Sequence, residues 1–198
     1  MYANLWVVVL VPDRAARARI RTAAHAAQHM LCGVALLLLL QAPAAYAAAL
    51  AGRVIHVADG DTLTVLDDHN RQHKIRLAGI DAPERRQPFG KRATAELTSL
   101  AKNKMVTVDW TKADRYHRLI GVVRVTPPDC TICKPGPDLG LALVSDGLAW
   151  HYTAYEREQS AENRQQYRDA ETGARDRQAG LWAEAVPTPP WDWRRARR

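Results

Sequence analysis

The chain has 198 residues, enough for one domain of ordinary size with extensions, which excludes several large domains. Its formal net charge of +7 favours an anionic partner. Residues 1–47 contribute four arginines and one aspartate, so the remainder has 24 basic and 20 acidic residues and a net charge of +4. A charge of this size suits a polyanion but is shared by many proteins that bind none, so composition alone selects no function.

An export signal is predicted over residues 1–47. The basic segment 17–21 precedes an apolar run, residues 31–40, and the small-x-small sequence 45–47 follows as a cleavage site. The apolar run is about ten residues long, which is short for a helix that crosses a bilayer. We therefore expect cleavage before Ala48 and a periplasmic or secreted protein. An uncleaved membrane anchor is the alternative.

Three short strands are predicted at the start of the mature chain. Residues 53–57 are rich in β-formers, the Asp-Gly pair at 59–60 is a strong turn signal, and residues 62–66 follow as a second strand. After a polar turn, residues 72–80 form a third strand in which apolar and basic residues alternate. The two-residue period places Arg76 on the face opposite the apolar side chains.

One helix and two further strands complete the predicted core of the domain. Pro88 can begin a helix, and apolar residues repeat with helical spacing from Ala93 to Ala101. The segments 105–110 and 119–125 are typical of strands. Three strands, a helix and two strands is the order of an OB-fold. We therefore predict an α+β protein, a five-stranded OB-fold β-barrel with flanking α-helices.

The C-terminal third is predicted to be helical and then disordered. Residues 139–144 favour a short helix, and the polar segment 156–179 favours a long one that ends at Gly180. These helices close a domain that spans residues 48–184. The remaining segment, residues 185–198, is rich in proline, tryptophan and arginine, and its composition is typical of a disordered tail.

Two cysteines remain after the predicted cleavage, Cys130 and Cys133, in a proline-rich loop over residues 126–137. In an oxidising compartment such a pair is expected to form a disulfide. Free thiols and a metal or redox role are the alternatives. No second cysteine pair completes a zinc ribbon, and the loop lacks the strand and helix that flank a redox motif.

Six charged or polar residues fit one kind of chemistry. Two aspartates can hold a hard divalent cation through oxygen, and two arginines can clamp a phosphate by bidentate hydrogen bonds. A glutamate near the metal can position or deprotonate water. Together these groups are the components of a metal-assisted phosphodiester hydrolase. The residues are Asp61, Arg76, Asp81, Glu84, Tyr116 and Arg118.

Five short motifs follow one another in an order and at spacings that are typical of one protein family. They are DGDT at 59–62, RLAGIDAPE at 76–84, DRYHR at 114–118, GLAW at 147–150 and AGLW at 179–182. The first alone is a common hairpin turn, whereas the nine-residue motif is much more specific. With these motifs the chain resembles the staphylococcal-nuclease-like (thermonuclease) family. The resemblance covers almost the whole of the expected mature domain.

The resemblance implies an OB-fold and a calcium-dependent nuclease that cleaves DNA and RNA to 3′-phosphate products. It implies that Asp61 and Asp81 are carboxylate ligands of Ca²⁺ and that the backbone carbonyl of Ala82 is a third ligand. The family often has threonine at that position, but alanine keeps the carbonyl. Glu84 is implied to orient or deprotonate the attacking water.

The same resemblance assigns the phosphate contacts. Arg76 and Arg118 are implied to clamp the phosphate, and Tyr116 to contact a substrate phosphate. A second family tyrosine follows the GLAW motif, where Tyr152 and Tyr155 compete for the role and Tyr155 is favoured. DNA and RNA are the implied partners. A monomer without a stable protein partner is expected, with no membrane association unless the signal is uncleaved.

Two rival functions remain open at this point. A non-catalytic OB-fold could bind nucleic acid without cleaving it. Family domains without catalysis lose the carboxylates or the arginines, whereas this chain keeps both sets. The other rival is an extracytoplasmic protein that binds calcium and a partner but does not cleave nucleic acid.

Overall fold

The computed structural model describes residues 48–127 and 136–197. Five of its strands form a closed barrel: β1 (Ala48–Val57), β2 (Thr62–Leu66), β3 (Gln72–Leu77), β5 (Met105–Ala113) and β6 (Leu119–Val125). The order around the barrel is β1-β2-β3-β6-β5. Only β3 and β6 run parallel, and the other neighbours are antiparallel. The predicted five-stranded OB-fold barrel is confirmed.

Short elements surround the barrel. Two two-residue strands pair with each other outside it, β4 (Ile80–Asp81) and β7 (Trp150–His151). The α-helices are α1 (Gly90–Ala101), α2 (Leu139–Ser145), α3 (Ala161–Asp176) and α4 (Pro190–Arg195). Two 3-10 segments, Thr153–Glu158 and Gly180–Ala183, lie between the later helices. No helix in the described ranges has both the length and the apolar character that crossing a membrane requires.

The main core lies inside the barrel and under α1 and α2. Alternate strand residues point inward, so that Leu63, Ile75 and Val108 are fully buried. Leu97 of α1 and Leu143 of α2 are also fully buried and pack in the same cluster. Because the inward side chains are packed in this core, the strands are held in place and their outer face can carry polar side chains in fixed positions.

Leu97→Ala is expected to lower the free energy of unfolding by about 2–5 kcal/mol, because the substitution leaves a cavity in a close-packed core. Leu97 is 0% exposed. Leu100→Ala, in the same helix but at a partly buried position, is the matched control and should cost less. Urea unfolding monitored by tryptophan fluorescence measures both values. Equal losses for the two variants would contradict this placement of the core.

A second, smaller cluster lies between β7, α3 and the segment Gly180–Ala183. The rings of Trp150 and Trp182 meet edge to face, with centroids 4.4 Å apart, and Ala174 is buried beside them. Both tryptophans are mostly buried. They are packing residues of the domain.

The long helix predicted over residues 156–179 is divided in two. A 3-10 segment, Thr153–Glu158, is followed by a break, and α3 then begins at Ala161. The side chain of Ser160 accepts a hydrogen bond from the backbone N–H of Asn163 at 3.1 Å. Serine in this position caps a new helix, because its hydroxyl satisfies an N–H that the first turn leaves unpaired.

The tail differs from the disorder predicted for residues 185–198. The structure contains helix α4 there, with Pro190 at its first turn, where a missing N–H costs nothing. Trp191 packs edge to face against Trp150, with ring centroids 5.6 Å apart. Composition does not reveal this packing, which leaves Trp191 partly buried on the domain. The predicted signal at 1–47 and the loop with Cys130 and Cys133 lie outside the described residues.

Candidate active site

The first carboxylate of the site is fixed at the start of β2. Asp59 accepts a hydrogen bond from the backbone N–H of Asp61 at 3.1 Å, which closes the turn before the strand. Thr62 pairs with Arg76 across β2 and β3, and the carbonyl of Asp61 accepts from the N–H of Leu77 at 2.8 Å. Asp61, directly before β2, therefore lies close to Arg76 of β3, and Arg76 Nη1 forms an ion pair with Asp61 Oδ2.

The second carboxylate comes from β4. Asp81 is 0% exposed and pairs through its backbone with Trp150 of β7. Arg76 Nη2 donates to Asp81 Oδ1 at 3.0 Å, and the N–H of Ala82 donates to Asp61 Oδ2 at 3.0 Å. Asp61 and Asp81 thus converge on the guanidinium of Arg76, and 16% of the Arg76 side chain is exposed. The predicted metal residues and Arg76 form one cluster.

Two glycines shape the chain between Arg76 and α1. Gly79 has a φ of +74°, which glycine adopts without strain, and it forms the turn between β3 and β4. A Cβ at Gly90 would lie 1.9 Å from the carbonyl oxygen of Glu84. Glycine therefore lets the Glu84 loop pack directly on the first residue of α1. The backbone of Glu84 is held further by Gln87, whose Oε1 accepts from its N–H at 3.1 Å.

Arg118 joins the cluster through the threonine beside Asp61. Asp114 accepts from the backbone N–H of Arg118 at 3.0 Å and from its Nε at 2.8 Å, which fixes the guanidinium. Arg118 Nη1 then donates to Thr62 Oγ1 at 3.3 Å, and Thr62 Oγ1 donates to Asp61 Oδ1 at 3.0 Å. Tyr116 is exposed, with Arg118 Cζ 5.5 Å from its ring centroid.

The two candidate tyrosines after the GLAW motif differ in what their rings contact. Tyr155 is exposed, and its ring lies 5.3 Å from Lys112 Nζ and 5.5 Å from the Tyr152 ring. Tyr152 packs against Trp191, with centroids 5.5 Å apart. The Tyr152 ring packs against Trp191, whereas the Tyr155 side chain is exposed and can contact a ligand. The choice of Tyr155 as the second substrate-binding tyrosine stays a prediction.

The charges of the cluster respond to burial and to each other. Burial disfavours the charged form of Asp61, but the neighbouring Arg76 outweighs it and holds the pKa of Asp61 below its ordinary value. Burial, and then the charge of Asp61, raise the pKa of Asp59 to about 6. Despite burial, Asp61 and Asp81 raise the pKa of Arg76. Asp61 and Arg76 are therefore charged at neutral pH.

Comparison with known proteins gives the family. The family described as Staphylococcal nuclease homologue matches residues 74–184. The chain belongs to the staphylococcal nuclease family. It is 38% identical over 143 residues to an uncharacterized endonuclease of Escherichia coli O157:H7, covering 72% of this chain and 84% of the relative. It is also 38% identical over 151 residues to a micrococcal nuclease of Shigella flexneri, covering 73% and 80% respectively.

Membership of this nuclease family confirms the predicted class of enzyme, a phosphodiester hydrolase. An uncharacterized endonuclease of Haemophilus influenzae is similar as well, at 36% identity over 143 residues and 72% of each chain. The family match includes Arg76, Asp81, Glu84 and Arg118 and begins after Asp61. The individual role of each of these residues stays a prediction.

The donor set of this nuclease fits the metal ion that its family typically uses. Asp61 and Asp81 are buried carboxylates that share the guanidinium of Arg76. Ala82, the residue whose carbonyl is the predicted third ligand, follows Asp81 directly and donates its N–H to Asp61. Oxygen donors of this kind suit a hard divalent cation. A different cluster, Asp67 with Asp68 and His69, lies on the turn after β2. Its Asp67 carboxylate already accepts hydrogen bonds from the Arg71 side chain and from the backbone N–H groups of His69 and Arg71.

One residue of the site was missed at the level of sequence. Arg194 of α4 donates from Nη2 to Asp81 Oδ2 at 2.6 Å and from Nη1 to Asp81 Oδ1 at 3.2 Å. Its Nη1 also donates to Glu84 Oε1 at 2.9 Å. Proline at the start of α4 and Trp191 one residue later are a signal for a short packed helix, but nothing local indicates which carboxylates its arginine reaches.

Proposed function

We propose that this nuclease is exported, depends on Ca²⁺, and hydrolyses the phosphodiester bonds of DNA and RNA to 3′-phosphate products. The observation that supports it most is the hydrogen-bonded cluster in which Asp61 and Asp81 share the guanidinium of Arg76. Glu84 lies next to Asp81 through their common partner, Arg194. Family membership supports the nuclease chemistry.

The donor set supports calcium as the metal. Ca²⁺ takes six to eight oxygen ligands in flexible geometry, so Asp61, Asp81 and the Ala82 carbonyl would leave positions for water and a phosphate oxygen. When bound, the ion would supply Lewis-acid stabilisation of the charge that develops on the phosphate. Mg²⁺ demands octahedral geometry and holds its waters firmly, so we expect it to support slower turnover.

Residues of the chain activate the water and stabilise the phosphate. Glu84, whose carboxylate shares Arg194 with that of Asp81, either accepts a proton from the attacking water or orients that water. Arg76 and Arg118 donate hydrogen bonds to the phosphate oxygens, which become more negative in the transition state than in the substrate. Asp114 holds Arg118 in place beforehand, so less rotamer entropy is lost when the substrate binds. Arginine stays charged at alkaline pH, so these contacts persist there.

A basic cavity beside Glu84 suits a polyanionic substrate. It has a volume of about 510 Å³ and adjoins Asp59 and Glu84. The other lining residues are four arginines and a tryptophan: Arg85, Arg86, Trp193, Arg194 and Arg197. Guanidinium groups such as those of Arg85 and Arg86 bind phosphate by paired hydrogen bonds. The Trp193 ring already has Arg197 Cζ 3.7 Å from its centroid. DNA and RNA are therefore the proposed substrates.

The decisive assay uses protein that begins at Ala48, with DNA and RNA, in Ca²⁺, in Mg²⁺ and in EGTA. Cleavage of both substrates in Ca²⁺ and its loss in EGTA are expected. The products should resist extension by a polymerase until a phosphatase removes the 3′-phosphate. DNA binding without cleavage in any metal would favour the non-catalytic binding module, and calcium binding without nucleic-acid binding would favour the interaction protein.

Export is expected to remove residues 1–47, because a basic segment, an apolar run and a small-x-small site precede Ala48. The intact mass of the protein recovered from a native host should correspond to a chain that begins near Ala48. Leu38→Arg places a charge in the apolar run and is expected to block processing, whereas Leu50→Arg, beyond the site, should not. A full-length product from the unaltered gene would contradict export.

A further inference from the structure

The C-terminal segment is attached to the elements that carry the site. Trp191 packs against Trp150 of β7 and against Tyr152, with ring centroids 5.6 and 5.5 Å away. Gln87, in the loop that follows Glu84, donates from Nε2 to the carbonyl of Thr188 at 2.6 Å. These contacts hold α4 over the carboxylates from two sides.

The guanidinium of Arg194 occupies oxygens that a metal ion and a water molecule would use. It reaches both oxygens of Asp81, which is fully buried, and one oxygen of Glu84. Arg76 already donates to Asp81 Oδ1. The carboxylate of Asp81 therefore has protein donors on both oxygens, with three of its roughly four acceptor sites in use, and a cation that coordinates it competes with these donors.

The charge balance points in the same direction. Arg76 and Arg194 together contact three carboxylates, those of Asp61, Asp81 and Glu84. These five groups carry a net charge of −1, and the value would be −2 without Arg194. A divalent cation is attracted more strongly to the second arrangement, most of all at the buried carboxylates of Asp61 and Asp81, where water screens charge least.

We propose that Arg194 is an intramolecular competitor for the metal, so that α4 is a latch that sets the metal affinity of this nuclease. The inference rests on the proposed function of Asp81 and Glu84. Metal binding displaces the guanidinium from Asp81 and frees Glu84 for water. Linkage requires the reverse as well, because a group that weakens metal binding is itself released when the metal binds.

Calcium titration of the full chain tests this competition. Isothermal calorimetry with CaCl₂ alone, in the absence of nucleic acid, gives the Kd of the parent and of Arg194→Ala. We expect Arg194→Ala to bind Ca²⁺ roughly tenfold more tightly or better, within the range common for coupled sites. Arg195→Ala is the matched control, because that side chain is 79% exposed and pairs with Asp192 in its own helix. Its Kd should equal that of the parent.

A second variant tests the same proposal without a substitution at any charged residue of the site. Trp191→Ala removes the packing of α4 on Trp150 and Tyr152 without replacing any carboxylate or arginine of the site. It should also tighten Ca²⁺ binding, because the latch is less firmly attached. In the parent, Ca²⁺ should change the near-ultraviolet circular dichroism of the tryptophans, and this change should be smaller in Trp191→Ala.

The outcomes separate this inference from the proposed function. If the parent binds Ca²⁺ and cleaves DNA but Arg194→Ala has the same or a weaker affinity, the latch is wrong and the function stands. An unchanged Kd for Ca²⁺ with weaker binding of an oligonucleotide would make Arg194 a substrate contact and overturn the competition. If none of the proteins binds Ca²⁺, both proposals fail.

Discussion

Arg76→Ala is expected to lower kcat by at least about a hundredfold in saturating Ca²⁺, comparable to the loss of one strong electrostatic donor. Arg76 lies in β3 with its guanidinium between Asp61 and Asp81, and only 16% of its side chain is exposed. A charge held in such a place stabilises negative charge on a phosphate more than a solvated arginine could, because water screens it less. Single-turnover cleavage of a short DNA duplex measures the effect.

The same substitution should also destabilise the protein when Ca²⁺ is absent. Removing one member of a buried ion pair commonly costs about 3–5 kcal/mol, because the partner charge is left uncompensated. Asp61 and Asp81 are both buried and both contact Arg76. Ca²⁺ should restore part of this loss, which urea unfolding with and without EGTA would show.

Lys74→Ala is the matched control for Arg76→Ala. Lys74 lies two residues earlier in β3, on the same face of the strand, and its side chain is exposed. It removes one positive charge from the same strand without touching the carboxylates. Its cleavage rate should remain near that of the parent. If Arg76→Ala also cleaves at that rate in saturating Ca²⁺, the proposed role of Arg76 is wrong even though the fold is established.

Glu84→Gln is expected to reduce kcat by a similar factor, at least about a hundredfold, by removing a group that can accept the proton of water. Calcium lowers the pKa of bound water less than zinc does, so the reaction depends more on a protein base. Binding of DNA should persist, because the arginines and the aspartates remain in place. A kcat that falls while the Kd for DNA is retained would separate chemistry from substrate affinity.

Glu184→Gln is the control for this second prediction, because Glu184 is an exposed carboxylate outside the cluster. It should change neither kcat nor DNA binding. Glu84→Gln also loses a charged partner of Arg194, since Arg194 Nη1 donates to Glu84 Oε1 at 2.9 Å. Cleavage by Glu84→Gln at the parent rate would exclude Glu84 as base or water-orienting residue.

The barrel could be predicted from the sequence because its signals are local. Alternation of apolar and basic residues in β3 places Ile75 and Leu77 in the core and Arg76 on the opposite face, as the structure shows. The Asp-Gly turn before β2 and the helical spacing from Ala93 to Ala101 are local signals too. Each depends on the period of a strand or helix, which neighbouring residues determine.

Convergence of the site was expected from the resemblance, but only the tertiary structure gives its contacts. The N–H of Ala82 donates to Asp61 across a sequence separation of 21. Arg118 donates to Thr62 across a separation of 56, and Thr62 in turn donates to Asp61. Such bonds depend on how β4 and the turn before β6 pack against β2. No local period carries that information.

The barrel, the helix after β3 and the residue types of a metal-assisted hydrolase could all be predicted from local patterns. The structure of the C-terminal segment could not, because its composition is typical of disorder. Trp191 packs, partly buried, on Trp150, and this packing brings Arg194 to Asp81 over 113 positions of sequence. The physical reason is that the gain from this burial depends on an apolar surface assembled from distant parts of the chain, which composition cannot reveal.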